Sequence, residues 1–255
     1  MITLDLITVE ASNQSGKMIR LGGEMVQPGA GLAPVGRETV QDRVYSELRR
    51  ALIGGLFAPG QVLTIRQLAD ALMTSTMPVR EALGRLITEQ ALEVLPNRSI
   101  RVPPVTLERI ADLLHARVLI EGEAMELATA RMTPRLLATV RAIMAEWEEM
   151  RLGGNPNTVD REAALNQAFH FEIYRACGST VLLPMIESLW LQSGPFTRAA
   201  IFAFSEAGAH DAARFHHDIL RALTAGDGKA ARAALVADIS RPFAYLRDKL
   251  TKEAA

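Results

Sequence analysis

The segment LADALMTSTMPVREAL, residues 68–83, decides the fold of the N-terminal half of the chain. It predicts a helix, a tight turn and a second helix. Ser75 is a favoured N-cap residue, and Pro78 fits the first turn of a helix, where a missing N–H costs nothing. Arg80 follows one turn later, near the helix end whose dipole favours phosphate. The pattern is typical of a helix-turn-helix unit, in which the second helix lies in the major groove of DNA.

The flanking residues predict a winged form of this unit. An amphipathic helix over residues 44–52 comes first and ends at Gly54-Gly55, and Thr64 is expected to cap the helix over residues 65–72. After the second helix, extended runs at residues 92–95 and 100–102 enclose a basic tip around Arg98. Two short strands around such a tip predict a small β-hairpin, the wing.

From about Arg37 to Val102 the chain resembles the N-terminal domain of the GntR family of bacterial transcription regulators. The resemblance is carried by Gly55-Leu56, Pro59-Gly60, Leu63, Arg66, Leu68-Ala69, Ser75, the run PVREAL at residues 78–83, Leu86 and Asn97-Arg98. It implies operator contacts from arginines at three positions, of which Arg66 and Arg80 fill two and Thr76 replaces the third. Met73 and Ser99 stand where glycine is usual. We therefore expect an operator that differs from the commoner ones of the family. The residues expected to face DNA are Arg66, Ser75, Thr76, Met77, Pro78, Arg80, Asn97 and Arg98. The other interpretation is a helix-turn-helix that contacts protein.

Composition sets outer limits on the class of protein. The chain has 255 residues, 49% of them hydrophobic, and a formal net charge of −1, so the whole molecule has no signature of polyanion binding. Residues 37–102 carry nine Arg and no Lys against seven acidic residues, a modest local surplus. Cys177 is the single cysteine, which excludes an internal disulfide framework and indicates a reducing cytoplasm. No stretch approaches the ~20 apolar residues of a membrane span, and no signal peptide is apparent.

Periodicity predicts a mainly α protein in three parts. Residues 1–36, rich in Gly, Ser, Gln and Pro after a strand-like run at residues 2–9, are expected to form a flexible tail. Residues 37–103 form the winged helix-turn-helix domain, and residues 104–255 form an all-helical bundle. Its six or seven helices are predicted at residues 107–131, 134–153, 160–177, 180–192, 195–205, 210–225 and 228–252, with a break at Ala207-Gly208.

Four polar residues are predicted to point into this bundle. Asn166 and His170 lie four apart on an apolar helix face, and His216 and Asp238 lie on the packing faces of two further helices. Two imidazoles, an amide oxygen and a carboxylate that converge from three helices could hold a divalent metal. The other interpretation is a polar core whose members satisfy one another.

The bundle resembles the helical effector domain, the FCD type, of FadR-subfamily GntR regulators. The resembling segments are Arg117-Val-Leu-Ile-Glu121, Asn166 to His170, and His216 to Asp227 with Ala233 and Asp238 beyond. The resemblance implies a metal on Asn166, His170, His216 and the position of Asp238, where histidine is usual. A carboxylate there suits Zn²⁺, Mn²⁺ or Ni²⁺ and favours harder ions. The resemblance also implies that Arg117 binds an acidic effector, and an i,i+4 ion pair with Glu121 is the other reading of that residue.

These patterns together predict a cytoplasmic transcription regulator that is not an enzyme. We expect a homodimer on palindromic double-stranded operator DNA, with no membrane partner, and repression that a small organic acid relieves. One alternative is a metal-responsive regulator in which the ion itself is the signal. A metal-dependent hydrolase built on His170, His216 and Asp238 is the other, but the sequence offers no general base or nucleophile beside those residues.

Overall fold

The computed structural model describes residues 19–21, 24–26, 39–152, 159–206 and 212–253. The strand-like run at residues 2–9, the helix end predicted near residue 153 and the predicted break at Ala207-Gly208 lie outside the described residues. The chain divides into two compact units, residues 1–39 and 40–255.

The first unit contains a short hairpin where the sequence predicted only a flexible tail. Strand β1 (Ile19–Leu21) pairs antiparallel with β2 (Glu24–Val26), with Ile19 opposite Val26. The sequence carried a signal for it, because Gly22-Gly23 between two apolar-containing triplets is a favoured two-residue hairpin connection.

The second unit begins with the predicted winged helix-turn-helix. Its helices are α1 (Val40–Ile53), α2 (Ile65–Ala71) and α3 (Thr76–Thr88). Three two-residue strands, β3 (Val62–Leu63), β4 (Glu93–Val94) and β5 (Ile100–Arg101), pair antiparallel in the order β3-β5-β4. One apolar core joins the faces of α1 and α3, and it includes Val44, Leu48, Leu52, Val79, Leu83 and Leu86. The amphipathic spacing of α1 and α3 is what buries these residues together.

The turn between α2 and α3 depends on one left-handed residue. Met73 has a φ of 48°, and the next amide, of Thr74, donates to the Ala69 carbonyl at 3.0 Å. This is the position where the resemblance has glycine, which adopts such a φ without strain. Ser75 and Thr64 have the extended backbone of N-cap residues, but neither side chain makes the predicted capping bond. A side-chain cap is present at α4, where the Thr106 hydroxyl accepts from the Arg109 amide at 3.1 Å.

Six helices form the C-terminal bundle within the described part of the chain. They are α4 (Leu107–Ala130), α5 (Pro134–Leu152), α6 (Val159–Arg175), α7 (Leu182–Glu206), α8 (Ala212–Ala225) and α9 (Gly228–Glu253). The sequence predicted two segments, 180–192 and 195–205, where α7 is continuous through Pro195. Buried neighbours on both sides, Leu191 and Phe196, hold the helix together across the hydrogen bond that proline removes. Across the described residues, no helix has both the length and the apolar character needed to cross a membrane.

Candidate DNA-binding surface and metal centre

The leading end of α3 presents short polar side chains and a cation to solvent. Ser75, Thr76 and Met77 are exposed at its start, and Arg80 is exposed one turn later. Arg66 is exposed in the first turn of α2, and Asn97 and Arg98 are exposed at the tip of the wing. The helix-turn-helix and the wing thus carry exposed hydrogen-bonding groups at the positions that the sequence predicted.

Three of these residues bring guanidinium groups that the protein does not neutralise. In the part of the chain that the structure describes, the side chains of Arg66, Arg80 and Arg98 have no hydrogen bond or ion pair. By contrast, Arg85 of α3 is paired: it lies 3.1 Å from Asp42 and 3.7 Å from the centre of the Tyr45 ring. The unpaired cations are therefore available for phosphate or guanine, which guanidinium binds well.

Pro78 is the exception among the residues predicted to face DNA. It is buried with Val79 in the core beneath α3. Helical spacing explains this, because Pro78 lies four residues before Ala82 and so falls toward the packed face. Its fixed φ suits the first turn of α3, and its burial excludes it from the DNA-binding surface.

The wing tip places its left-handed residue at Arg98 rather than at Ser99. Arg98 has a φ of 65°, and its amide donates to the Leu95 carbonyl at 2.8 Å. The Asn97 side-chain oxygen accepts from the amide of Ser99 at 3.1 Å and from its hydroxyl at 2.6 Å. Serine is tolerated where the resemblance has glycine, because the strained conformation falls on its neighbour.

Inside the bundle, three of the four predicted metal ligands meet. His170 from α6, His216 from α8 and Asp238 from α9 bring their donor atoms within 4.8 Å of one another. The Oδ2 atom of Asp238 lies 3.1 Å from His170 Nε2 and 3.6 Å from His216 Nε2, and the two Nε2 atoms are 3.3 Å apart. Both imidazoles are buried, and the Asp238 side chain is 14% exposed. We call these three residues the triad.

The spacing and protonation of the triad suit a divalent ion. Two donors bonded to one ion at about 2.1 Å lie about 3.0 to 3.4 Å apart, close to the separations in the triad. Burial lowers the pKa of His216 by more than Asp238 raises it. Burial also acts to raise the pKa of Asp238, but attraction and hydrogen bonds from His216 and His170 outweigh it and lower that pKa below its usual range. A neutral imidazole and a carboxylate are the protonation states that metal binding requires.

The surroundings of the two imidazoles are aromatic. The Trp147 and Phe169 rings lie with their centres 4.4 Å and 4.5 Å from that of His216, and the Tyr174 hydroxyl lies 3.5 Å from His170 Nδ1. Nδ1 of His216 is buried without a hydrogen-bond partner among the described residues. A metal-ligating histidine usually donates its outer ring nitrogen to a polar partner, which the Tyr174 hydroxyl can provide for His170 and no described residue provides for His216.

Comparison with known proteins decides between a transcription regulator and a hydrolase. The family model for bacterial regulatory proteins of the gntR family matches residues 40–102, and the FCD domain model matches residues 112–241. The HTH-type transcriptional regulator McbR of Escherichia coli is 30% identical over 204 residues, which cover 80% of this chain and 91% of that protein. This chain belongs to the GntR family and carries an FCD domain. It is therefore a DNA-binding transcription regulator and not an enzyme, as the sequence predicted.

Two further comparisons agree with that membership. The HTH-type transcriptional repressor GlaR of Escherichia coli is 30% identical over 149 residues, covering 57% of this chain and 67% of that repressor. The solved structure of Escherichia coli McbR/YncC superposes with a TM-score of 0.76 at 28% identity, covering 84% of this chain and all of that one. The fold of this GntR regulator is thus shared along most of its length.

Asn166 lies one turn before His170, but its side chain contacts other residues than the triad. It is half-buried and lines a cavity of about 20 Å³ beside Ile53, Gly54 and Trp190. No hydrogen bond joins it to the triad within the described residues. The structure of this regulator therefore assembles three of the predicted ligands and leaves the fourth beside α1.

Arg117 makes the ion pair that was one of its two predicted roles. Its Nε and Nη2 atoms donate to the two carboxylate oxygens of Glu121, the latter at 3.2 Å, and Nη1 lies 3.3 Å from the Ser193 hydroxyl. Burial acts to lower the pKa of Arg117, but Glu121 outweighs it and raises that pKa. The face of the guanidinium that would grip an effector carboxylate is therefore occupied by the protein's own carboxylate.

Glu121 is the centre of a buried network, of which the sequence predicted only the pair with Arg117. Besides Arg117, it accepts from the Tyr174 hydroxyl at 2.5 Å and from the Trp190 indole at 3.0 Å. Burial and the adjacent Glu121 raise the pKa of Tyr174 well above its usual value, so it stays a donor. Tyr174 also touches His170, so the network and the triad are in contact. The four-residue spacing of His170 and Tyr174 was a usable signal, whereas Trp190 had none.

Proposed function

We propose that this GntR regulator is a homodimer that represses transcription from a palindromic operator and releases it when a small organic acid binds in the FCD domain. The observation that supports this most strongly is the buried triad, whose donor set can hold a cation inside the bundle. A buried cation attracts carboxylate and hydroxyl oxygens, which are the groups of an organic acid. We place the DNA-binding domain at residues 37–103, the effector domain at residues 104–255, and the site of action in the cytoplasm.

His170, His216 and Asp238 would hold the metal in this proposal. When bound, the ion supplies a positive charge and coordination positions for effector oxygens. Zn²⁺, Mn²⁺ and Ni²⁺ all accept imidazole and carboxylate, and the carboxylate favours the harder Mn²⁺. Tyr174 and the ion pair of Glu121 with Arg117 orient the surroundings of His170. An effector carboxylate that displaced Glu121 would take its place on the Arg117 guanidinium.

Helix α7 gives a route from this site to the DNA-binding domain. Trp190 of α7 donates to Glu121, while the next residue, Leu191, is buried in the core of the winged helix-turn-helix. Two turns later, Arg198 Nη1 donates to the Gly54 carbonyl at the end of α1, at 3.2 Å. In this proposal the contact has one arrangement that binds the operator and one that does not. An effector shifts operator binding only if it binds these two arrangements with different affinity.

Operator titration with a defined metal and a panel of acids tests the proposal. Full-length protein is stripped with a chelator, reloaded with Mn²⁺, Zn²⁺ or Ni²⁺, and titrated on an operator obtained by selection from random duplexes. We expect at least one hydroxy acid, sugar acid or dicarboxylate to weaken operator binding only when metal is present. Operator binding that no acid changes in any metal state would overturn the effector role, and tighter binding with acid would reverse the sign.

The pairing of Arg117 with Glu121 favours a second candidate, in which the ion alone is the signal. With the guanidinium already satisfied, the bundle has no vacant Arg117 fork to offer a carboxylate. A metalloregulator would change operator affinity on chelation without any acid. The effector-sensing protein would need both, so the same titration separates the two.

A further inference from the structure

Two methionines stand exposed on the helix-turn-helix, among residues that are otherwise polar. Met77, in the first turn of α3, is 60% exposed, and Met73, in the turn before it, is 94% exposed. A single exposed apolar residue needs no explanation. The position of Met77 relative to the cations of this unit is what makes it informative.

Met77 shares a helix face with Arg80. The two residues are three apart on α3, so they are neighbours on its surface. The buried residues Val79, Leu83 and Leu86 lie on the opposite face. The outward face of α3 therefore begins with an apolar thioether and continues with the Arg80 guanidinium, which has no partner among the described residues, and the exposed carboxylate of Glu81.

We propose that Met77 reads thymine methyl groups in the major groove of the operator. This inference rests on the operator binding proposed above and adds the base class that the leading turn recognises. The thymine C5 methyl is the apolar feature of the major-groove edge, where the other groups are donors and acceptors. A methionine side chain is flexible and polarisable, so it adapts to such a contact. The unpaired guanidinium of Arg80 on this face, and that of Arg66 in the first turn of α2, favour a polyanion over an apolar protein surface as the occupant.

Replacement of thymine by uracil tests the contact, because uracil lacks only the methyl group. An operator is first selected from random duplexes with the full-length protein, and each thymine is then replaced in turn. Binding is measured by fluorescence anisotropy at fixed salt. Loss of one buried methyl weakens binding by about fourfold in one half-site and about fifteenfold in both. We expect one thymine in each half-site to show this effect with the wild-type protein.

The Met77→Ala variant completes a double-mutant cycle on the same duplexes. It should bind the thymine operator at least as weakly as the wild type binds the uracil operator, and it should not distinguish the two. Met185→Ala, which removes a methionine that is 44% exposed on α7, is the matched control and should keep the full thymine preference. Equal thymine preference in Met77→Ala and wild type would overturn the inference, as would a wild type that ignores uracil at every position. Failure to select any operator would instead count against the proposed operator binding.

Discussion

Gly194 of α7 lies against the end of α1 so closely that a Cβ atom on it would be 2.3 Å from the Leu52 carbonyl oxygen. The Ile53 carbonyl oxygen would be 2.6 Å from the same Cβ. Both obstacles are backbone atoms, so neither can rotate away as a side chain would. This contact joins the helix that touches Glu121 to the helix that packs beneath α3.

A methyl group at this contact should destabilise the protein. We expect Gly194→Ala to lower the free energy of unfolding by about 1–3 kcal/mol, as overpacking does in a rigid site. Urea denaturation followed by circular dichroism measures it. The control is Gly84→Ala on α3, where nothing lies within 4 Å of an added Cβ. There the helix propensity of alanine should raise stability by about 0.5–1 kcal/mol. An unchanged stability in Gly194→Ala would mean that α7 and α1 are not tightly joined.

The buried pair of Arg117 and Glu121 should be sensitive to loss of one charge. Glu121→Gln keeps a similar shape but leaves a buried guanidinium uncompensated, which typically costs about 3–5 kcal/mol. Equilibrium urea unfolding measures the change. Glu47→Gln is the control, because Glu47 pairs with Arg50 at the surface, with side chains 52% and 74% exposed. That change should stay within about 0.5 kcal/mol. Equal effects of the two substitutions would contradict the buried network.

Metal binding at the triad should raise thermal stability. At 100 times its dissociation constant, a divalent ion adds about 2.7 kcal/mol to the folded state. A chelator-treated sample should therefore regain several degrees of Tm when Mn²⁺, Zn²⁺ or Ni²⁺ is added, and His170→Ala should lose that gain. His217→Gln is the control, since His217 is exposed and bonded to Glu148 at 2.6 Å. A gain of the same size in His170→Ala would place the metal elsewhere.

Operator affinity should depend on the unpaired arginines and not on the paired ones. Arg80→Ala should weaken operator binding by about 5- to 150-fold, the range for loss of one base-contacting arginine at about 1–3 kcal/mol. Arg50→Ala removes another exposed cation, one that is paired with Glu47, and its effect should be much smaller. Anisotropy titration at two salt concentrations separates base from phosphate contacts, because losing a phosphate contact also reduces the salt dependence. Equal losses in both variants would mean that affinity reflects net charge alone.

The elements with strong periodic patterns were predictable from the sequence. α1, α3 and the bundle helices follow apolar spacing, and the triad residues were identifiable because His170, His216 and Asp238 each sit on such an apolar face. The first residues of α5 and α9, Pro134 and Gly228, were also predictable, because proline and glycine mark helix ends through their own backbone preferences. These features depend on short-range chemistry, which the sequence records directly.

The features that escaped prediction depend on tertiary contacts. The sequence predicted a helix boundary at Pro195, but the buried side chains of Leu191 and Phe196 keep α7 continuous. Pro78 read as part of the exposed leading turn, and only the packing of α3 against α1 shows that it is buried. The capping bond expected at Ser75 is missing. Glu121 gained two partners from other helices, Tyr174 and Trp190, and the i,i+4 spacing that predicts its pair with Arg117 does not predict these.

Reciprocal linkage between effector and operator tests the central proposal most directly. With metal-loaded full-length protein, isothermal titration gives the affinity of an active organic acid for the free protein and for the operator complex. If the triad region controls operator binding, the operator should weaken acid binding by the same factor as the acid weakens operator binding, about 5- to 150-fold. Identical acid affinities for the free and operator-bound protein would contradict the proposal.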